Sequence, residues 1–446
     1  MLSRLVEFKI EGLFGLYDHS IRLNLFERIT IIIGPNGRGK TVCLKFIEAL
    51  FRNRYSYFFD IPFRVATFLF NDGQSIELQR SEEGEYPSIV FVLRPRNGAV
   101  SVANWAPAVP NGPLLREIRR YLPQQWQYAG PDRWVDETDG EELTFEELTE
   151  RYRFPPKLLA SVSQPLPEEF AALISRTDCH LIETQRLLVL QSGQPSAHEF
   201  EYAQRRRARD ARLAIQQKAQ KLQEILKDTL TTYANLSQSL DSTFPLRVFE
   251  AQYQANLSQD ELRQALTQLN ERRAALMAAG IMDPDSKEVT LARGNIERGV
   301  AMALEIYVED ASQKLDVFNN LRSRLDLFKE LIDTRFIDKS IHIDRELGFR
   351  IMSKTGTVVP LDKLSSGEQH QLILVFDLLF EVTQNSLILI DEPEISLHVA
   401  WQKTFIESLR RIIELNAFDV LLATHSPAVV ARHFGLSVTL GPVDDE

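Results

Sequence analysis

The sequence contains few cysteines and no long apolar run. Its 446 residues include only two cysteines, Cys43 and Cys179, which argues against a disulfide framework and makes a reducing cytoplasm the default expectation. No apolar stretch approaches the roughly 18 residues that a membrane-spanning helix requires. The first residues place a charge every few positions and lack the apolar core of a signal peptide. The sequence therefore predicts a cytoplasmic protein without a membrane partner.

The chain also lacks an excess of positive charge. Its net charge of −11 argues against a protein covered in DNA-binding surface, although it leaves room for a local basic patch. Acidic residues crowd residues 131–150, where nine Asp or Glu stand against a single arginine. Two interpretations of this segment stay open. It is either a solvated acidic loop or a docking surface for a basic partner.

Length and patterning divide the chain into three parts. Residues 1–195 begin with apolar alternation typical of strands, and Ile29–Ile33 is a short β-branched run like a parallel strand buried on both faces. Residues 196–339 change to long helical patterns with few glycines, and residues 340–446 return to alternating strand and helix signals. A chain of this length exceeds one ordinary core. We predict an α/β fold, a mixed sheet with flanking helices, split by a helical insertion.

The helical patterns of the insertion predict a short antiparallel helical arm or bundle. From Leu304 to Ile332 its apolar residues have a mean spacing of about 3.5 residues, the value of a coiled coil. A helix of about 40 residues would reach only about 60 Å, which excludes long DNA-tethering arms. The stretch 304–332 is interpreted either as an intramolecular hairpin or as a surface for higher assembly.

The strongest motif is a glycine-rich loop that follows the predicted strand Ile29–Ile33. Its residues are Gly34, Pro35, Asn36, Gly37, Arg38, Gly39, Lys40 and Thr41, a complete G-x-x-x-x-G-K-[ST] sequence. The glycines let backbone N–H groups turn inward around phosphate oxygens, and the helix that follows adds positive potential. Lys40 would contact the β- and γ-phosphates, and Thr41 would ligate Mg²⁺. The loop predicts binding of a nucleoside triphosphate with Mg²⁺.

A second phosphate-handling motif lies roughly 350 residues further along the chain. The apolar run at 386–390 ends in Asp391 and Glu392, and two carboxylates at a strand end are poorly placed unless they meet a cation or water. Asp391 suits Mg²⁺ through a water, and Glu392 suits polarising the attacking water. A surface turn is the alternative. His425 also follows a predicted strand and is interpreted as a γ-phosphate sensor, with a structural histidine as the alternative.

The third motif is Leu364-Ser365-Ser366-Gly367-Glu368, directly before a predicted helix. Ser365 and Glu368 have the spacing of a capping box, so a plain helix cap is one interpretation. The other interpretation uses the same physics. A hydroxyl and the free N–H groups of a helix start can bind a phosphate.

These motifs, in this order, resemble ABC-type ATPases of the SMC/RecF/OLD-like branch (AAA_15/AAA_21-like). Residues 364–368 look like the LSGGQ signature, Glu392 like the catalytic glutamate after Walker B, and His425 like the switch histidine. The resemblance covers residues 1–55 and 340–430. It implies an ABC-ATPase head in which Lys40, Glu392 and His425 act in catalysis. It also implies that Ser365, Ser366 and Gly367 of one copy close over the ATP of another, giving a head-to-tail dimer that ATP stabilises and hydrolysis loosens.

Three further positions are assigned by the same resemblance. Gln185 is the candidate Q-loop residue, contacting Mg²⁺ or the lytic water, and an ordinary polar residue on a buried strand is the alternative. Two positions depart from the family pattern, because Ser366 replaces the usual glycine of the signature and His398 replaces the usual aspartate of the D-loop. These departures concern communication within the dimer rather than nucleotide binding.

The resemblance implies a separate effector protein. OLD-family nucleases carry a TOPRIM domain beyond the head, and the stretch of about 20 residues after His425 is expected to be too short for one. No HNH-like histidine cluster or CxxC pair stands elsewhere in the sequence. Compact heads of this layout look similar to the ATPase subunits of two-gene anti-phage systems such as PARIS and Septu. In those systems the ATPase scaffold controls a toxin or nuclease.

Two alternatives remain from the sequence. One is a RecF-like repair or replication ATPase that binds DNA directly, for which five arginines within residues 205–212 are candidate phosphate contacts. The same arginines fit a protein interface, pairing with acids on a neighbouring helix, or a solvated face. The other alternative is a clamp that binds ATP and barely turns it over.

Overall fold

The structure is a computed structural model that describes residues 3–81, 88–106, 112–130, 133–138, 140, 142–143, 145–152, 154–155, 158, 165–183, 197–250, 257–282, 296–397 and 399–441. The chain divides into two compact units. Unit 1 comprises residues 1–189, 383–395 and 402–446, and unit 2 comprises residues 190–382 and 396–401.

Unit 1 is built on three sheets, with elements numbered in chain order. Its strands are β1 (Leu5–Leu13), β2 (Tyr17–Arg22), β3 (Ile29–Ile33), β4 (Val65–Phe70), β5 (Ser75–Ser81), β6 (Ser88–Arg94), β7 (Ser101–Trp105), β8 (Trp126–Gly130), β9 (Arg133–Asp136), β10 (Glu142–Leu143), β11 (Cys179–Glu183), β15 (Leu387–Asp391), β16 (Asp419–Ala423) and β17 (Ser437–Thr439). Its helices are α1 (Lys40–Phe51), α2 (Tyr57–Asp60), α3 (Gly112–Arg119), α4 (Phe145–Arg151), α5 (Glu168–Ile174), α12 (Phe405–Asn416) and α13 (Pro427–Val430). The short helix α11 (Val399–Gln402) crosses the chain boundary between the units.

A parallel five-stranded sheet forms the centre of unit 1, in the order β11-β15-β16-β3-β17. Strand β3 lies between β16 and β17, so strands from distant parts of the chain pair directly. Helix α1 packs on β11, β15 and β16. Because all strands of this sheet run in one direction, the loops after β3, β15 and β16 meet at the same edge.

The six-stranded sheet of unit 1 is antiparallel, in the order β2-β1-β4-β5-β6-β7. Strands β4 and β5 form a hairpin around the turn residues Asn71-Asp72-Gly73. Buried residues alternate along β4, and the apolar face of the sheet joins the same core as α1 and the central sheet. The period-2 pattern in the sequence therefore predicted this layer correctly.

Residues 112–158 contain a small core that the sequence did not predict. Helices α3 and α4 and strands β8 to β10 surround the buried side chains of Trp126 and Trp134. Asp136, one of the nine acids of 131–150, is buried and accepts hydrogen bonds from Gln125 and Thr138. The hydrogen bond from Thr138 lowers the pKa of this carboxyl although burial opposes it. Asp136 therefore stabilises the local fold and belongs neither to a solvated loop nor to a docking surface.

Unit 2 contains the helical insertion and a small sheet. Its elements are α6 (Ala197–Glu250), α7 (Gln259–Ala278), α8 (Arg298–Asp316), α9 (Asn319–Asp333), β12 (Lys339–Asp344), β13 (Gly348–Ser353), β14 (Val358–Val359), α10 (Ser366–Phe376) and a π-helical segment at Asp377–Glu381. Helix α6 has 54 residues, so at 1.5 Å per residue it extends about 80 Å. The expected length of about 40 residues was too short.

The stretch 304–332 is not one continuous helix. Helix α8 ends at Asp316 and α9 begins at Asn319, although the predicted apolar positions on both sides, including Leu315, Phe318 and Leu321, are buried. The ring of Phe318 lies 5.1 Å from that of Tyr233 on α6. Because Phe318 is buried at the turn, the apolar spacing continues from α8 into α9. The spacing therefore did not reveal the break.

Residues 340–382 lie with the insertion rather than with the central sheet. The sequence grouped them with residues 383–446 as one C-terminal lobe. In the structure β13 and α10 pack against α6, and β12 packs against α9, so this segment is part of unit 2. The predicted fold class is nevertheless confirmed, because the chain forms mixed α/β sheets with flanking helices and carries a helical insertion between its phosphate-binding motifs. Within the described ranges, no helix is long and apolar enough to cross a bilayer.

Candidate nucleotide-binding site

The glycine-rich loop lies between β3 and α1 in unit 1, and two of its glycines are required by space. Gly39 has a left-handed backbone (φ +84°), and a Cβ there would lie 2.7 Å from Leu13 Cδ2. Gly34 (φ +154°) would place a Cβ 2.6 Å from the carbonyl oxygen of Leu440. A side chain at Gly34 would meet fixed backbone, and one at Gly39 would strain the backbone and displace the end of the Leu13 side chain. Glycine at both positions lets the loop lie close to the edge of the sheet.

The side chain of Lys40 folds back into this loop. Its Nζ donates hydrogen bonds to the carbonyl oxygens of Gly34 (2.8 Å) and Pro35 (3.0 Å). Burial lowers the pKa of the amine, while the charges of Glu392, Asp391 and Glu394 oppose that shift. The amine is therefore bound to two carbonyl oxygens of the loop and lies within electrostatic range of three carboxylates.

Thr41 and Asp391 meet across the central sheet. Thr41 Oγ1, at the start of α1, donates a hydrogen bond of 3.2 Å to Asp391 Oδ1, at the end of β15. Asp391 is buried. A hydroxyl and a carboxylate are hard oxygen donors of the kind that Mg²⁺ prefers, so the two residues fit a Mg²⁺ site.

The backbone of Glu392 is strained. Its φ of +47° lies in the left-handed region, although it carries a side chain. Its N–H donates to the carbonyl oxygen of Ala423 at the end of β16 (2.9 Å), which holds this conformation. Backbone of this kind costs about 1–3 kcal/mol and persists at functional sites.

His425 lies between the lysine and the glutamate. Its Nδ1 lies 3.4 Å from Lys40 Nζ, and its Nε2 lies 3.5 Å from Glu392 Oε1. A protonated Lys40 can only donate, so it pairs with the tautomer of His425 in which Nδ1 is the acceptor. The structure thus brings together Lys40, Thr41, Asp391, Glu392 and His425, all of them predicted site residues.

The remaining predicted site residues fall into three groups. Ser365, Ser366 and Gly367 belong to unit 2, at the start of α10. Gln185 and His398 lie outside the described residues. Pro35, Asn36 and Arg38 lie in the loop itself.

In unit 2, Ser365 forms the capping box that the spacing predicted. Its Oγ accepts from the N–H of Glu368, and Glu368 Oε2 accepts from the N–H of Ser365 (2.9 Å). Lys339 Nζ lies 2.6 Å from Glu368 Oε1. Burial would raise the pKa of Glu368, but the hydrogen bonds from Lys339 and Ser365 outweigh it and lower that pKa. The helix start is therefore rigid and carries a charged carboxylate.

Sequence reasoning missed several residues around the loop. His19 Nε2 lies 2.8 Å from the carbonyl oxygen of Arg38, and the Arg38 guanidinium lies 4.9 Å from the ring centre of Tyr17. Tyr17 and His19 stand two residues apart on β2, so the strand period places them on one face. Glu394 was also missed, although a third carboxylate two residues after Glu392 was visible in the sequence.

A comparison with protein families finds a match over residues 229–431 to the family described as "AAA domain, putative AbiEii toxin, Type IV TA system". The matched range includes the signature segment, Asp391-Glu392 and His425. The match supports an AAA/ABC-type ATPase. The glycine-rich loop lies outside the matched range, so its assignment rests on its own sequence and geometry.

Among curated proteins, the chain is similar to Protein ea59 of Escherichia phage lambda. The two are 34% identical over 68 residues, which cover 15% of this chain and 13% of that protein. The alignment therefore spans a small part of the length of the curated relative.

Among solved structures, the chain is similar to heads of SMC proteins. One is the SMC head of Pyrococcus furiosus with an extended coiled coil, bound to the C-terminal domain of ScpA (14% identity, TM-score 0.34, covering 96% of this chain and 91% of that chain). Another is the SMC head domain of Thermotoga maritima (12% identity, TM-score 0.31, with the same coverage of 96% and 91%).

Proposed function

We propose that the chain is an ATPase that binds ATP with Mg²⁺ on the loop 34–41 and hydrolyses it. One observation carries the proposal. Loops after three neighbouring parallel strands bring Lys40, Thr41, Asp391, Glu392 and His425 to one edge of the central sheet, with Thr41–Asp391, Lys40–His425 and His425–Glu392 distances of 3.2, 3.4 and 3.5 Å. These are the cation, the metal-binding oxygens and the acid–base groups that phosphoryl transfer to water requires.

Each side chain has a role that follows from its place. Lys40 and the loop N–H groups bind the phosphates. Glu392 accepts a proton from a water as its oxygen attacks the γ-phosphorus, and the bond from that phosphorus to the β-phosphate oxygen breaks to release ADP. His425 is assigned the role of γ-phosphate sensor. Thr41 and Asp391 would hold Mg²⁺, which neutralises charge on the phosphate oxygens when bound.

The test separates binding from hydrolysis. Glu392→Gln should bind ATP within about threefold of wild type and release phosphate about 10²- to 10⁴-fold more slowly, the range of a lost general base. Lys40→Ala should lose ATP affinity. Glu414→Gln, an exposed glutamate on α12, serves as the control and should match wild type. Phosphate release by Glu392→Gln at the wild-type rate would refute the assigned role.

The second part of the proposal concerns assembly. Ser365, Ser366 and Gly367 of one copy would contact the ATP bound to another copy, in a head-to-tail dimer, and Gln185 would contact Mg²⁺ or the lytic water. Both assignments are supported by the resemblance to ABC ATPases. Glu392→Gln with ATP should then form a long-lived dimer, measured by light scattering after size exclusion. An unchanged mass upon ATP addition would reject the dimer.

The third part concerns the biological role. We infer from the resemblance to ATPase subunits of two-gene systems that the chain controls a separate toxin or nuclease in anti-phage defence. The description of the matched family names a toxin and a toxin–antitoxin system. The assignment to PARIS or Septu rests on the resemblance in layout alone. Purification of tagged wild type and Glu392→Gln from the native host, with ATP, should recover a stoichiometric protein partner. Recovery of DNA without a protein partner would reject this role.

Direct DNA binding, the RecF-like alternative, gains no support from the comparisons. Its candidate residues are the arginines of 205–212, which lie in α6 but whose side chains fall outside the described set.

A further inference from the structure

The segment that follows Glu392 is folded into a tight turn under the His425 loop. Pro393–Ser396 forms a 3-10 turn, closed by a hydrogen bond of 3.2 Å from the N–H of Ile395 to the carbonyl oxygen of Glu392. The turn directs the side chain of Glu394 back toward the end of β16. There Glu394 Oε1 accepts a hydrogen bond of 2.7 Å from the backbone N–H of His425.

This contact is charge-assisted and joins a half-buried carboxylate to the exposed residue His425. Glu394 Oε2 is shielded from solvent and has no hydrogen-bond partner among the residues that the structure describes. A carboxylate that gives up water for one backbone N–H costs free energy to bury. Shielding Oε2 of Glu394 therefore costs free energy. Among the described residues, the one hydrogen bond of the Glu394 side chain is to the backbone of His425.

A second tether holds the next residue of the loop. Gln402 Nε2 donates to the carbonyl oxygen of Glu394 (3.2 Å), and Gln402 Oε1 accepts from Ser426 Oγ (2.7 Å). Ser426 is itself buried. The turn after Glu392 is thus tied to both His425 and Ser426, and it ties together the two segments that carry the carboxylate and the imidazole.

We propose that Glu394 is a positioning residue for ATP hydrolysis: its hydrogen bond to the His425 N–H fixes the imidazole between Lys40 and Glu392. The inference rests on the proposed ATPase function. Displacement of a reacting group by about 1 Å can cost about 10²-fold in rate. The contact with Glu394 is made by the backbone of His425, so it holds the ring in place without competing for its nitrogen atoms.

The test compares Glu394→Ala, Glu394→Gln and the exposed control Glu414→Gln in ATP hydrolysis and ATP binding. Glutamine keeps an oxygen that can accept from the His425 N–H, whereas alanine does not. Glu394→Ala should lower kcat about 10- to 100-fold with the Kd for ATP within about threefold. Glu394→Gln should recover to within about threefold of wild type. Equal kcat losses in both variants, or no loss in alanine, would overturn the inference.

A readout that needs no turnover separates this inference from the proposed function. Hydrogen exchange at the His425 amide, followed by mass spectrometry without nucleotide, should accelerate in Glu394→Ala but not in Glu394→Gln. Unchanged exchange in Glu394→Ala would overturn the tether whether or not the protein hydrolyses ATP. Absent hydrolysis in wild type would instead reject the proposed function. If Glu394→Ala does not fold, Gln402→Leu removes the second tether and should lower kcat with unchanged ATP affinity, and unchanged kcat would again count against the inference.

Discussion

Gly348 allows a close approach between β13 and α6 in unit 2, and its replacement by alanine should destabilise that unit strongly. Gly348, at the start of β13, has φ +77°, and a Cβ there would lie 1.9 Å from the carbonyl oxygen of Ala219 on α6. Since Cβ atoms essentially never come closer than 3.0 Å to such an atom, strand and helix would have to part by more than about 1 Å. The obstacle is helix backbone, which cannot rotate away.

The expected magnitude comes from two contributions. A side chain in the left-handed region costs about 1–2 kcal/mol, less about 0.4–1 kcal/mol recovered from the unfolded chain. Overpacking against rigid backbone adds about 2–4 kcal/mol, at or above the usual range. Gly356 supplies the matched control, because its φ is +80° and no heavy atom of the described residues lies within 4 Å of the position that a Cβ would take. Gly356→Ala should therefore cost only the first contribution, about 1 kcal/mol.

Hydrogen exchange of α6 near Ala219 is the suitable assay, since a chain of two units need not unfold in one step. Gly348→Ala should weaken protection of this segment about 30- to 700-fold more than Gly356→Ala, which corresponds to a difference of about 2–4 kcal/mol. Equal loss of protection in the two variants would refute the steric argument and leave only the backbone conformation as the cause.

Three further predictions follow from contacts in the two units. Gly39→Ala, which would press a Cβ against Leu13, should weaken ATP binding at least about tenfold by calorimetry, whereas Gly73→Ala, with a similar φ of +83° and an ordinary nearest contact of 3.5 Å, should not. Arg247→Met breaks two contacts of 2.6 Å with the buried Asp310 and should cost roughly 2–3 kcal/mol in denaturant titrations; Lys314→Met, which breaks the pair with the exposed Asp241, should cost less than about 1 kcal/mol. Burial raises the pKa of Asp377 from 3.8 to about 6, and the charge of Lys218 opposes that shift. Since the folded state then binds the proton more tightly than the unfolded state, the stability should fall as pH rises from about 4 through about 6. In thermal melts, the Tm of Asp377→Asn should depend less on pH than the Tm of wild type.

The sequence predicted the features whose signals are local. The β-branched run Ile29–Ile33, the glycines after it and the helix from Lys40 follow one another within a few residues, so their strand–loop–helix order could be derived without any long-range contact. The same is true of the apolar strand that ends in Asp391 and Glu392, and of the capping box at Ser365.

Features set by distant contacts were not predictable in this way. The sequence does not encode locally that β3 lies between β16 and β17, or that His425 meets Lys40. The tether from Glu394 to the His425 backbone likewise depends on how two segments pack. The break between the helices after Asp316 was not predicted, because Phe318 continues the apolar spacing through the turn.

The position of β3 has a consequence for synthesis on the ribosome. Its partners in the central sheet, β16 and β17, begin at Asp419 and Ser437. At about 5–20 residues per second, the roughly 390 residues between β3 and β16 take on the order of 20–80 s to translate. During that time the buried isoleucines of β3 have no strand beside them in this sheet. Slow codons between these strands, or a premature stop before Asp419, should therefore favour aggregation of the nascent chain, and a chaperone that covers β3 should raise the yield of folded protein.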